Sequence, residues 1–417
     1  MTPLYRFTLC TLLACVSAVA APFRAAAAKA DITPQSSQWL MGYNPRKSTG
    51  VHDHIYHRVV AMEAGAQQFY LVASDLCLFS PGVYDDVARD LERETGITRA
   101  QFWWSVTHSH AAPEVGPPGM YKALLGRSDH EYDREYAALV KDSLIAAVKE
   151  ARSKLEPARI AVGQGISMAN INRRAKDVDG QVSLGLNPDG PADRQIGVLR
   201  LERPDGGLIA LVANYAMHGT VMSGQNLLIS GDGPGTVSAY LEQKLGAPVL
   251  FVNGAAGNLA PIYSVYADAK SGHLSQFNVL LGDRVLAAVR ALGPATADVT
   301  LWTAELSIAT PQKEGLEWPA ELAHYQARVP VRFLRINETV IWAAPVELFC
   351  EIAMAVRQQS PYAHTFYFGY TNGWFGYLPT AQAFAEGGYE PKTSPFTAQA
   401  ESDVTQGVVA FLQGMRR

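Results

Sequence analysis

Along this chain, short apolar runs repeatedly end in clusters of small and polar residues. Residues 69–73 run into Ser74 and Asp75, and residues 102–106 run into Thr107, His108, Ser109 and His110. Residues 208–214 lead to Tyr215, Ala216, Met217 and His218, and residues 249–252 lead to Asn253-Gly254-Ala255-Ala256-Gly257. Runs of this length, rich in β-branched and aromatic residues, predict buried strands. Between them a helical period predicts helices over 83–94, 132–152, 237–244 and 277–292. Residues 301–340 read as strand-rich and residues 345–357 as helical. Glycines and aromatics crowd into 366–389, which reads as a long ordered loop over the site. The alternation predicts an α/β fold of mixed sheets with flanking helices, with chemistry collected at strand ends. No fixed-period repeat and no Pro/Ser linker divides the chain. A single catalytic domain over residues 29–417 is the economical reading.

Residues 1–28 stand apart and read as a signal peptide cleaved somewhere within 20–28. Arg6 supplies the positive start, and residues 7–20 supply an apolar run shorter than the ~20 residues of a spanning helix. Ala18-Val19-Ala20 offers a small-x-small cleavage site, and a second small-residue cluster follows at 25–28. Leu12-Leu13-Ala14-Cys15 also fits a lipobox, but apolar residues 16–23 take the place of a polar tether, which favours ordinary cleavage. The expected product is exported, periplasmic or secreted, with no transmembrane segment. Cleavage removes Cys10 and Cys15 and leaves Cys77 and Cys350, both in apolar surroundings where buried free thiols are expected, a single bridge being the alternative. With 48% hydrophobic residues in 417, the chain can be held by its core alone. A formal charge of −4 leaves no basic footprint for nucleic acid or anionic lipid.

His108 and His110 are two apart at a predicted strand end. In extended backbone that spacing puts both rings on one face, as zinc sites use it. His52, His54 and His57 form a rival supplier with the same spacing. His218 sits at a similar strand end, where a lone histidine is commonly a satisfied buried one. With so few cysteines, any zinc site here must draw on histidine and carboxylate. A serine hydrolase is disfavoured because Ile229-Ser230-Gly231 lacks the glycine before the serine. A dinucleotide enzyme is disfavoured because Gly254-Ala255-Ala256-Gly257 has too few glycines and sits at mid-chain.

Five further motifs occur in a fixed order. They are Thr107-His108-Ser109-His110-Ala111-Ala112-Pro113; Asn170-Ile171-Asn172-Arg173; His218-Gly219-Thr220 with Ile229-Ser230-Gly231-Asp232; Pro345-Val346-Glu347-Leu348-Phe349; and Thr371-Asn372, Gly376-Tyr377 and Tyr389-Glu390. With residues 29–33 and Met41-Gly42-Tyr43, they resemble the catalytic domain of the neutral, non-lysosomal ceramidases, which are zinc amidohydrolases. The resemblance implies zinc (Zn2+) held by His108, His218, Glu347 and Tyr377. It places His110, Arg173 and Tyr389 as catalytic groups: Arg173 and Tyr389 to stabilise an oxyanion, His110 to relay a proton or hold the tetrahedral intermediate. It implies a small-molecule or lipid-like amide substrate, with an ester as the other candidate bond. Taken without the resemblance, Tyr377 also reads as loop packing and Glu347 as a charge at a helix N-terminus. Asp232 reads equally as a turn anchor or as a group orienting a ligand histidine. A non-catalytic exported binding protein of the same fold is the alternative from another class.

Two departures bear on substrate. Where the family carries a serine in a G-D-x-S-P-N element, this chain reads Gly257-Asn258-Leu259-Ala260-Pro261, and Ala260 has no hydroxyl. The sequence also stops shortly after residue 412, where the family continues into an immunoglobulin-like domain. Both loosen ceramide as the substrate and leave the metal chemistry standing.

Overall fold

Three times along the chain, a run of antiparallel strands is followed by a helix and one more strand parallel to the last. The computed structural model describes residues 22–127, 130–262 and 273–416. In the first unit β1 (Arg24–Asp31), β2 (Tyr56–Ala64) and β3 (Gln67–Ser74) lead through α1 (Pro81–Thr95) to β4 (Phe102–Val106), ordered β4-β3-β2-β1. Helix α2 (Arg134–Ser153) covers β1 and β2. The second unit comprises β5 (Arg159–Ile166), an excursion through β6 (Asn170–Lys176) and β7 (Val182–Asn187), then β8 (Gln195–Glu202), β9 (Leu208–Tyr215), α3 (Asp232–Leu245) and β10 (Val249–Asn253). Its sheet runs β10-β9-β8-β5, while β7 and β6 join β11 (Leu259–Pro261) in a smaller sheet. Helix α4 (Asp283–Arg290) packs on β5 and β8. The third unit is β12 (Leu301–Ala309), β13 (Arg328–Ile336), β14 (Thr339–Ala343), the two-residue β15 (Glu347–Leu348), α5 (Cys350–Gln359) and β16 (His364–Phe368), with sheet order β12-β13-β14-β16. After it come β17 (Tyr377–Leu378) and α6 (Gln399–Arg416). The crossover to a parallel strand needs a helix-length connection, and each unit supplies one.

Strand periodicity explains why these runs are apolar throughout. On β3, Phe69, Leu71 and Ala73 enter a core shared by all three sheets, while Tyr70 and Val72 face the helices. On β9, Ala210 and Val212 enter the shared core, while Leu211 and Ala213 meet Val237 and Leu241 of α3. On β14, Ile341 and Ala343 point inward, while Val340 and Trp342 share a cluster with Ile352 and Val356 of α5. Both faces are buried, so alternation with polar residues is absent. Truncating Leu71 to Ala in this core costs about 2–5 kcal/mol.

Helix boundaries follow their caps. The Ser80 side chain accepts the Gly82 N–H, Pro81 opens the first turn, and Gly96 closes α1 with φ 73°. Asp133 caps α2 through the N–H groups of Glu135 and Tyr136. The expected helix over 345–357 begins only at Cys350. Residues 347–348 instead pair with Tyr377–Leu378, a partner no local pattern reveals. The expected loop over 366–389 holds the end of β16, β17 and a short helix, Ala381–Glu386. The expected start of the folded domain at residue 29 is also displaced. Residues 25–28 lie inside β1, paired with Met62 to Val59 of β2, and Phe23 is already buried. Ala18-Val19-Ala20 and Cys15 lie outside the described residues. Among the described residues, no helix is long and apolar enough to cross a membrane.

Candidate metal centre

Each unit sends one side chain to a common point. His108 follows β4, His218 follows β9, and Glu347 follows β14; all three are buried. Glu347 Oε2 lies 3.4 Å from His108 Nε2 and 3.2 Å from His218 Nε2. The tautomers are set from behind. His108 Nδ1 stands 3.1 Å from the Cys77 carbonyl, and His218 Nδ1 stands 2.8 and 3.0 Å from the carbonyls of Ala256 and Leu259. Carbonyls only accept, so each Nδ1 carries the proton and each Nε2 presents a lone pair. Glu347 Oε1 accepts the Trp374 indole N–H at 2.8 Å, and Oε2 accepts the Tyr370 hydroxyl at 3.3 Å. Two imidazole lone pairs and a buried carboxylate aimed at one point form a donor set that fits a divalent cation such as zinc.

Electrostatics hold the donors ready. Burial, with the charge of Arg173, lowers the His218 pKa to about 3. Burial, with His108 and His218, holds His110 well below its ordinary value. A second grouping of Cys77 with His108 and His110 uses the other edge of the His108 ring. There the thiol lies 3.8 Å from the Nδ1 already turned to a carbonyl, and burial raises its pKa so that it stays protonated.

The remaining expected residues lie around this centre. Parallel pairing of β15 with β17 sets Tyr377 beside Glu347. The Tyr377 hydroxyl accepts from Arg173 Nη2 at 3.0 Å, and Arg173 Nη1 lies 2.9 Å from His218 Nε2. Arg173 comes from β6, and Glu390 fixes it. That carboxylate, wholly buried, takes Arg173 Nε at 3.0 Å on one oxygen and Arg174 Nη1 at 2.7 Å on the other. His110 Nε2 lies 3.1 Å from His108 Nε2, while its Nδ1 is buried without a hydrogen-bond partner. That nitrogen is packed by Gly42, where a Cβ would stand 2.4 Å away. Tyr389 is 38% exposed, with its ring 5.6 Å from that of Tyr377. His110, Arg173, Tyr377, Tyr389 and Ala260 all line one cleft of about 980 Å³.

Several expectations change. His108 and His110 do not share one face of an extended strand. His108 has φ 63°, and the two rings meet at 89° with centroids 4.6 Å apart. Gly219 approaches this turn so closely that a Cβ would stand 2.5 Å from the His108 carbonyl oxygen. The rival histidines do not converge. His57 is buried between Ser74 Oγ and the Val140 carbonyl, while His52 and His54 pair with Asp53 and Asp31 at the surface. Glu347 precedes α5 rather than starting it. Asp232 accepts the N–H groups of Val221, Met222 and Gly233, so it anchors the loop after His218 rather than orienting a histidine ring. Cys77 and Cys350 are free and buried. Tyr370 and Trp374, which also meet Glu347, carry no sequence signal beyond membership of the aromatic-rich 366–389 segment.

Comparison with known proteins places this architecture. The family model for the neutral/alkaline non-lysosomal ceramidase N-terminal region matches residues 23–274, which hold His108, His110, Arg173 and His218. The neutral ceramidase of Pseudomonas aeruginosa is 28% identical over 257 residues, 58% of this chain and 37% of that protein. Neutral ceramidase A of Dictyostelium discoideum is 30% identical over 225 residues, 51% of this chain and 31% of that one. The matches thus span about a third of these relatives' length. The crystal structure of the Pseudomonas aeruginosa enzyme superposes with a TM-score of 0.77 at 19% identity, over 95% of this chain and 74% of that one, and shows the same fold. The chain belongs to the neutral/alkaline non-lysosomal ceramidase family, a family of hydrolases.

Proposed function

We propose that this chain is a zinc-dependent hydrolase that cleaves an amide bond in a lipid-like or small-molecule substrate and works after export. The convergence of His108 Nε2, His218 Nε2 and Glu347 from three separate units carries the proposal. These three would hold the metal, with the Tyr377 hydroxyl completing the set. When bound, the zinc supplies Lewis acidity, polarising the amide carbonyl and bringing the pKa of water toward neutrality.

The chain's own groups do the rest. Arg173, held by Glu390, offers a fixed cation for charge developing on the amide oxygen. Tyr389 stands at the cleft wall with its hydroxyl pKa pushed up to about 12 by burial and the Glu347 charge, so it remains a donor. His110 is neutral at pH 7 and holds a proton weakly, so a proton it takes up is passed on readily to the leaving amine. Ala260 lines the same cleft with a methyl group, so a polar sphingoid head finds no hydroxyl partner there.

Zinc removal by a chelator should abolish hydrolysis of N-acyl amides, and added zinc should restore it; activity indifferent to chelation would refute the metal reading. Long-chain ceramide should be turned over weakly or not at all, and efficient ceramide turnover by purified protein would refute the role given to Ala260. Export is tested by fusing residues 1–28 to a reporter that is active only outside the cytoplasm.

A further inference from the structure

Two aromatic residues outside the proposed ligand and catalytic set divide Glu347 between them. Trp374 donates its indole N–H to Oε1 at 2.8 Å, and Tyr370 donates its hydroxyl to Oε2 at 3.3 Å. Oε2 is also the oxygen facing both ligand histidines. Tyr370 has a second contact: its ring stacks on His108, with centroids 4.1 Å apart and planes 20° from parallel. Its ring also stands edge-on to His218, with centroids 6.5 Å apart, so one side chain meets all three converging donors.

Tyr370 is also held where an aromatic residue rarely sits, with φ 52°; His108 across the stack has φ 63°. Left-handed backbone at a bulky residue costs about 1–3 kcal/mol and persists where the surroundings over-determine it. The surroundings here are explicit. The Tyr370 carbonyl accepts the Val106 N–H, and the next side chain, Thr371 Oγ1, meets Ser105 Oγ at 2.7 Å. Thus the loop after β16 is bonded to the end of β4, the strand that delivers His108. Tyr370 and Trp374 are both almost wholly buried, so neither bond competes with water.

We infer that Tyr370 and Trp374 are positioning residues that set the affinity of the metal centre. Trp374 turns the carboxylate so that Oε2 faces the histidines. Tyr370 locks the His108 ring plane to that same oxygen. Neither is itself part of the cleft wall. This inference rests on the reading of His108, His218 and Glu347 as ligands.

The experiment measures zinc affinity by competition with a chromogenic chelator, and the visible spectrum of the cobalt-substituted protein, for wild type, Tyr370→Phe and Trp374→Phe. Tyr370→Phe keeps the stack and removes only the hydroxyl. Loss of such a ligand-supporting hydrogen bond should raise the zinc Kd about tenfold in each variant, and by more than tenfold in the double variant, with a shifted cobalt spectrum. Folding is checked on the metal-free proteins by circular dichroism, and Tyr370→Trp serves as a second probe should Tyr370→Phe fold poorly. Wild-type zinc affinity and an unshifted cobalt spectrum in both single variants would overturn the positioning role alone. A wild-type protein that takes up no zinc or cobalt would overturn the ligand assignment as well.

Discussion

Two segments of this protein carry histidines at the same two-residue spacing, His52-Asp53-His54 and His108-Ser109-His110, and they have different fates. The first precedes β2 at the surface, where each imidazole meets one nearby carboxylate and water. The second follows β4 at the point where loops from all three units meet, and there His108 finds a histidine and a glutamate from chain regions more than a hundred residues away. Spacing is common to both, so spacing does not make a site. What differs is what lies across from the ring, which the topology of the three units decides. His57 adds a third outcome: buried like His108, but with a hydroxyl and a carbonyl as partners.

The sharpest way to break this comparison is to remove ligands from one segment and their counterparts from the other. His108→Ala combined with His218→Ala should leave a folded protein that loses zinc and at least about 10³-fold in activity, since that pair supplies both imidazoles of the proposed donor set. Full zinc occupancy in that double variant, measured by elemental analysis, would remove the site from this position. Next in size is Arg173→Met, expected to lower kcat about 10²- to 10³-fold with zinc retained, as for loss of a preorganised oxyanion donor; unchanged kcat would reassign Arg173 to structure.

A third prediction concerns His57, whose pKa burial lowers from 6.5 to about 4 against a smaller opposing effect of the Val140 carbonyl. The folded state keeps this ring neutral, while the unfolded chain takes up a proton below 6.5. Stability from this group is therefore complete above pH 6.5 and declines as the pH falls toward 4, by about 3 kcal/mol in all. Denaturant titrations of wild type and His57→Gln at pH 7 and pH 4.5 should show a smaller pH effect in the variant. Smallest is His52→Ala with His54→Ala: a stability change within about 0.5 kcal/mol and unaltered zinc content. A zinc deficit there would restore the rival cluster.

Much of this architecture was legible from local pattern, because buried strands are apolar on both faces and capped helices announce their ends. Residues 102–106 read as β4 without error, and the helix expected over 83–94 is α1, which the caps at Ser80-Pro81 and Gly96 extend to 81–95. The three-unit recurrence was not legible. Its units share strand order but not spacing: β2 and β3 are joined by a tight turn, whereas β5 and β8 are separated by the β6–β7 hairpin. Motif order made legible which residues meet at the candidate centre: His108, His218, Glu347, Tyr377 and Arg173. The turn at His108 was not, because nothing but the stacked Tyr370 and the close Gly219 explains a positive φ at a histidine. β15 escaped for the same reason, its partner β17 lying some thirty residues further on.

That each unit contributes one donor has a kinetic consequence. No unit by itself, and no pair of units, can assemble the centre. If these donors hold zinc as proposed, its high-affinity capture during folding must wait until the last unit has docked, since units of a large chain form before they join. In a refolding chain, the moment a cobalt spectrum appears would time that final docking event, separately from the formation of any strand or helix.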